Sequence, residues 1–182
     1  MAHQHGIRTE ALAQGGIMPR QELVTYFSAT GTTAKLAARI AGIRGCEAVP
    51  ILPKVPYSVA DLNWGDTGSR SSLEMGDDSC RPELEPLERN LADYGVIFVG
   101  YPIWWGQEPR VIDSFLEGND FTGKIIVPFA TSGGSDMGSS PARIQALTPG
   151  STVRGARLLS VAFPDEVLER WLGELQFEER YV

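Results

Sequence analysis

Histidine is nearly missing from this 182-residue chain, occurring only at positions 3 and 5. A serine or cysteine nucleophile activated by histidine, or a histidine-based metal centre, therefore has almost no material here. The two cysteines, Cys46 and Cys80, lie far apart without metal-ligand spacing and read as free thiols of a reducing compartment, the cytoplasm. No apolar run approaches the length of a membrane span. The first twenty residues lack the charged-then-apolar order of a secretory signal and are expected to form a flexible tail, leaving residues 21–182 as one domain. A net charge of −7 without any basic cluster argues against nucleic acid as a partner. With so few nucleophiles and metal ligands, the chemistry is expected to belong to a bound cofactor.

What is present is concentrated in residues 22–33, Glu-Leu-Val-Thr-Tyr-Phe-Ser-Ala-Thr-Gly-Thr-Thr. A short apolar run gives way to Ser28, Thr30, Gly31, Thr32 and Thr33, and a helical pattern follows, with Leu36, Ala37, Ile40 and Ala41 on one side. Strand, hydroxyl-rich turn and helix start together make an anion site, because the first helical N–H groups are free and sit at the positive end of the dipole. The hydroxyls add donors, and Gly31 permits close backbone approach. No Gly-Lys-Ser/Thr follows the loop and no Gly-x-Gly-x-x-Gly is present. A nucleoside triphosphate or an ordinary dinucleotide is therefore disfavoured, and a monophosphate held by uncharged groups fits better. Serine and threonine before a helix also serve as plain N-caps, so the loop alone leaves both roles open.

Further strands are expected at 48–52, 95–101, 124–131 and 156–161, the second of these apolar on both faces as a parallel sheet demands. Helical spacing appears in Val111, Ile112, Phe115 and Leu116, from Ser139-Ser140-Pro141 through Leu147, and in Val167, Leu168, Trp171, Leu172 and Leu175 after Pro164-Asp165. Strands alternating with helices predict an α/β fold, a five-stranded parallel sheet with helices on both faces. The number and spacing match the flavodoxin-like doubly wound order 2-1-3-4-5, in which ligands bind beyond the carboxyl ends of the strands. Pro128 falls within the fourth strand, where a bulge or irregular end is expected. The stretch 53–86, rich in Ser, Asp and Gly, is expected as an extended loop, with helix resuming over 85–94.

In that arrangement three loops share one sheet edge: the hydroxyl turn, Tyr101-Pro102-Ile103-Trp104-Trp105-Gly106, and the polar run from Thr131, Ser132, Gly133 and Gly134 to Gly138. Taken alone, tandem tryptophans after a strand more often serve core packing than ring stacking, and glycine runs more often serve turns than ligands. Their coincidence on one edge suits a planar ring with a phosphate arm, and FMN is the natural candidate.

These motifs give the chain a resemblance to the flavodoxin family, to the branch that carries Tyr-Phe-Ser-x-Thr-Gly (26–31), Tyr-Pro-Ile-Trp-Trp-Gly (101–106), Pro-Phe-Ala-Thr-Ser-Gly-Gly-Ser (128–135) and Ser-Arg-Ser-Ser-Leu-Glu-Met (69–75). The resemblance implies that Ser28, Thr30, Gly31, Thr32 and Thr33 hold the FMN phosphate. It implies that Pro102, Ile103, Trp104, Trp105 and Gly106 lie along the isoalloxazine ring, and that Thr131, Ser132, Gly133 and Gly134 close another edge. Thr32 departs from the asparagine usual in the family. Electron-carrier flavodoxins also tend to be more acidic than this chain.

Three readings of function follow. The first is an FMN protein that transfers electrons to a redox partner protein or small acceptor. The second is an NAD(P)H-dependent FMN reductase of quinones or similar acceptors, with Trp64, Arg70 and Ser71 of the long loop as contacts. The third is a phosphate-binding regulatory module without redox chemistry. A monomer or a dimer suits each of them.

Overall fold

The computed structural model describes residues 18–179. Its main sheet is built from β1 (Glu22–Tyr26), β2 (Glu47–Pro50), β3 (Val96–Pro102) and β4 (Ile125–Thr131), followed by two short segments, β5 (Thr152–Val153) and β6 (Arg157–Leu158). All pairings in this sheet are parallel, in the spatial order β2-β1-β3-β4, with β5 and β6 both on the far side of β4. This is the doubly wound order 2-1-3-4-5, with its fifth strand in two pieces. A separate two-residue antiparallel pairing joins Met18–Pro19 to Glu178–Glu179. The expected tail otherwise lies outside the described residues.

Strand alternation sends side chains into two layers. On one face Leu23, Ile97, Val99 and Ile126 pack with Val111, Ile112, Phe115 and Leu116 of α3 (Arg110–Glu117) and with Ile144 of α4 (Ser140–Leu147). On the other, Val24, Phe98, Val127 and Phe129 meet Leu36, Ala37 and Ile40 of α1 (Thr32–Arg44) and Leu168, Trp171 and Leu172 of α5 (Asp165–Glu174). Each fully buried apolar side chain of this kind contributes about 1.5–3 kcal/mol. Helix α1 stops at Gly45, whose φ of 65° lets its N–H reach Gly42 O while Cys46 N–H reaches Ala41 O, a Schellman ending.

The expected strand over 156–161 meets only the second of the two edge segments, and the cause is Pro128. The carbonyls of Lys124, Ile126 and Ala130 accept from the N–H groups of Thr152, Arg154 and Leu159, so even-numbered residues of β4 face this edge. Pro128 is among them and has no N–H to offer. It stays in register with Val99 on the other side, so β4 itself runs unbroken and the neighbouring strand is the one that parts. Gly155 crosses the gap at φ 67°, with its carbonyl accepting from Trp171 Nε1 at 3.0 Å.

The helix expected over 85–94 is also corrected: only a 3-10 turn, Leu91–Asp93, forms there, started by Asn90 Oδ1 accepting from Ala92 N–H. Pro82 and Pro86 hold the preceding chain extended. Lys54 N–H donates to Glu83 O and Glu85 N–H to Leu52 O, laying 83–85 against 52–54. Between those strands' ends, the segment 53–86 contains a 3-10 turn at Ala60–Leu62 and a short helix α2 (Arg70–Met75). Arg70 fixes it by donating to Glu74 Oε1 (2.7 Å) and Val55 O (2.7 Å), with its guanidinium 3.8 Å from the centre of the Tyr57 ring.

Among the described residues, no helix is long and apolar enough to cross a membrane.

Candidate functional site

The carboxyl ends of β1, β3 and β4 deliver their loops to one hollow of about 420 Å3, lined by Ala29, Thr30, Thr32, Thr33, Leu62, Trp64, Ser71, Pro102, Ile103, Trp104, Trp105, Thr131 and Ser135. That volume falls within the roughly 300–1,000 Å3 of small-molecule sites. None of these side chains is charged.

At one end is the start of α1. Gly31 occupies the N-cap position in a left-handed conformation (φ 91°, ψ −10°), and no side chain of that residue caps the helix. Ser28 does so from further back, its Oγ accepting from Gly31 N–H (3.1 Å) and Ala34 N–H (3.2 Å). Among the described residues, the amides of Thr32 and Thr33 have no partner, as the first turn of a helix requires. Thr30 and Thr32 are exposed at the hollow, whereas Thr33 is buried and its Oγ1 lies 2.9 Å from Thr131 Oγ1. That bond ties the first loop to the third. Two unsatisfied amides, two exposed hydroxyls and a helix dipole make this end a site for a small anion without any cation.

The two adjacent tryptophans have separate roles. Trp104 belongs to an aromatic cluster, set edge-on to Phe27 (centroids 5.7 Å apart, 88°) and Tyr57 (5.5 Å, 78°). Tyr57 in turn donates to Glu74 Oε2 at 2.5 Å, and burial together with that carboxylate raises its phenol pKa, so it remains a donor. Trp105 is half exposed instead. It has φ 50°, and among the described residues it is the single non-glycine with positive φ. Gly106 follows at φ 72°, and Trp104 and Gln107 exchange both backbone hydrogen bonds (2.9 and 3.1 Å). These are the features of a type I′ turn, which strongly favours Asn or Gly where Trp105 stands. A bulky residue held in that region costs on the order of 1–3 kcal/mol, a strain of the sort found at ligand sites.

The third loop is shaped by Ser132, whose Oγ accepts from Gly134 N–H (3.1 Å) and Ser135 N–H (2.7 Å). Gly138, at φ 51°, closes it against the tryptophan turn, since a Cβ there would lie 2.2 Å from Gly106 O.

Of the residues singled out from the sequence, Thr30, Thr32, Thr33, Pro102, Ile103, Trp104, Trp105 and Thr131 come together around the hollow. Ser28, Gly31, Gly106, Ser132, Gly133 and Gly134 shape its loops without lining it. From the long segment, Trp64 and Ser71 reach the hollow, while Arg70 is taken up by Glu74, Val55 and Tyr57. Ala29, Leu62 and Ser135 escaped the sequence reading. Ala29 and Leu62 carry no polar group to mark them, and Ser135 sits just past the glycine pair in a loop already named.

Other chemistries lack an arrangement here. Among the described residues, no three His, Cys, Asp or Glu side chains gather as metal ligands. Burial pushes the Cys46 thiol up to about 11 and raises that of Cys80, so neither is poised as a thiolate.

Comparison with known proteins agrees with this geometry. A family model described as flavodoxin matches residues 21–175. A candidate flavoprotein from Bacteroides eggerthii has 42% sequence identity and a TM-score of 0.80, the match covering 85% of this chain and 97% of that one. A second, from Bacteroides uniformis, has the same identity and TM-score, with 86% and 99% covered. A flavoprotein from Lactobacillus acidophilus, solved in complex with FMN, shares the fold at 21% identity and a TM-score of 0.62, with 84% and 99% covered. No curated protein matches.

Proposed function

This chain belongs to the flavodoxin family, and from that premise we propose that it binds FMN in the hollow at the carboxyl ends of its strands and works as a redox protein. Thr30, Thr32 and the free amides of α1 would hold the phosphate, and Pro102 to Trp105 with Thr131 would flank the ring. Bound FMN would supply one- or two-electron transfer, and the residues around it set its ease. The observation that carries the reading is one cavity without charged side chains, lined both at the open first turn of a helix and by an exposed indole. The FMN complex of the Lactobacillus acidophilus flavoprotein, on the same fold, is in keeping with it.

Mixing the apoprotein with FMN should turn it yellow and raise its Tm. FMN at about a hundred times its Kd should add roughly 2.7 kcal/mol of stability. Thr30→Ala and Thr32→Ala should each weaken FMN about tenfold or more, a hydrogen bond to a charged group being worth about 1.5–3 kcal/mol, and leave riboflavin nearly unchanged. Equal losses for both flavins would remove the phosphate assignment. Because no cation lines the cavity, the charge gained on reduction goes unneutralised, and the FMN-loaded protein should be half reduced below the potential of free FMN. A spectroelectrochemical titration giving a value well above it would contradict this.

Within redox proteins, transfer of electrons to a partner protein is one reading. Reduction of a small acceptor, fed by NAD(P)H, is favoured by a particular observation: Leu62, Trp64 and Ser71 of the long segment wall the same hollow. Steady NAD(P)H oxidation with a quinone and no added reductase separates the two.

A further inference from the structure

Beside the hollow already described lies a second one of about 280 Å3, formed by Trp64, Thr67, Ser72, Met75, Gly76 and Trp105. The two share Trp64 and Trp105, so a ligand in the second would border whatever fills the first. These indoles are left unusually open, Trp64 at 80% exposure and Trp105 at 50%, while Trp171 is buried at 3%. Large apolar surface kept in water beside a cavity marks a binding surface.

Trp64 stands on a braced turn. Asn63 Oδ1 accepts from Gly65 N–H (3.2 Å), Asp66 Oδ1 from Gly68 N–H (2.8 Å), and Ser72 Oγ donates to Asp66 O (2.7 Å). Trp105 borders the same groove from the strained turn that follows β3. One indole from the long segment 53–86 and one from the turn after β3 thus border a groove whose remaining walls are a thioether, a glycine and two hydroxyl residues. No charged side chain lines it, so it offers nothing to pair with a phosphate, carboxylate or ammonium group.

We propose that this groove is the site of a small, flat, uncharged aromatic ligand of the quinone class, bound against Trp64 and Trp105 at the border of the cofactor cavity. The inference rests on the FMN reading for its role and on the two indoles for its chemistry. Aromatic faces and the Met75 thioether would receive the ring, and a Thr67 hydroxyl can donate to a ring carbonyl. The groove is small by the standard of ligand sites, which suits one or two fused rings rather than a nucleotide. Six residues border it, far fewer than the roughly 20–30 that each side of a stable protein interface contributes.

The test is calorimetric titration of the FMN-loaded protein with 2,3-dimethyl-1,4-naphthoquinone, blocked at both quinoid carbons against thiol addition, while the flavin spectrum reports whether FMN stays bound. Saturable binding without FMN release is expected. Trp64→Ala should weaken it about tenfold, and Trp64→Phe, which keeps a ring, should restore most of it. Both variants should melt like the parent, and each is titrated with FMN held saturating, so that a change in FMN affinity is read separately from the loss of quinone binding. No saturable binding, displacement of FMN, or equal affinity in parent and Trp64→Ala would overturn the inference while leaving the FMN reading intact. Protein that takes up no FMN at all would overturn both. A naphthoquinone sulfonate binding as tightly as the neutral compound would also overturn it.

Discussion

Asp113 and Glu108 illustrate how much a single buried group can set. Both are fully buried among Arg110, Arg143 and Arg81, yet Glu108 Oε2 and Asp113 Oδ1 have no hydrogen-bond partner among the described residues. Burial, and then the neighbouring Glu108 charge, raise the pKa of Asp113 to about 7, above the roughly 3.9 of an unfolded chain. Between those values the folded protein carries a proton that the unfolded chain has lost. This group therefore stabilises the fold most at low pH, and its contribution falls as pH rises through 7. Asp113→Asn cannot ionise, so urea unfolding at pH 5 and pH 8 should show a smaller loss of stability with pH than in the parent. An undiminished loss would mean another group controls it. Ser28 teaches a related lesson in legibility: its type and position were consistent with both ligand and cap, and only the 3.1 and 3.2 Å contacts with Gly31 and Ala34 N–H reveal its capping role.

Among elements, the joint between α2 and α3 is the most demanding. Arg110, 1% exposed, opens α3 and donates to Met75 O (3.2 Å), Asp77 O (3.1 Å), Asp78 Oδ1 (2.6 Å) and Asp113 Oδ2 (3.1 Å). One guanidinium thus takes up carbonyls at the end of α2 and fastens the long segment to the body. Arg110→Ala would leave the Met75 and Asp77 carbonyls and the buried Asp113 without this donor, a loss of about 1–3 kcal/mol. Hydrogen exchange should show residues 70–78 losing protection more than β3 does; equal losses would argue against a local clasp. The regular elements were legible because each repeats a period: β3 is apolar throughout, and α3 shows Val111, Ile112, Phe115 and Leu116 along one side. The 3-10 turn at Leu91–Asp93 was misread as helix because an apolar spacing survives there while the prolines before it control the backbone. The split fifth strand was illegible because its cause, Pro128, lies in a different strand.

At the scale of the whole molecule, the site forms because parallel strands release their loops at one end. The order of motifs in the chain therefore carries the position of the cavity, and the three loops named from the sequence do meet there. The contribution of residues 62–71 does not follow from order, since it depends on how the long segment folds back through Arg70, Arg110 and paired backbone at 52–54 and 83–85. Two layers of apolar packing, one on each face, keep that rim fixed relative to the core.

The parting of the outermost strand opposite Pro128 has an effect beyond this chain's own interior. Each rim of an open sheet is a template on which a stray strand can polymerise. Here one rim offers two dipeptides separated by a left-handed glycine, and the other is four residues long and ends in Pro50. Neither presents a long continuous ladder of donors and acceptors, so Pro128 guards one rim against edge-to-edge aggregation, and shortness with a terminal Pro50 guards the other.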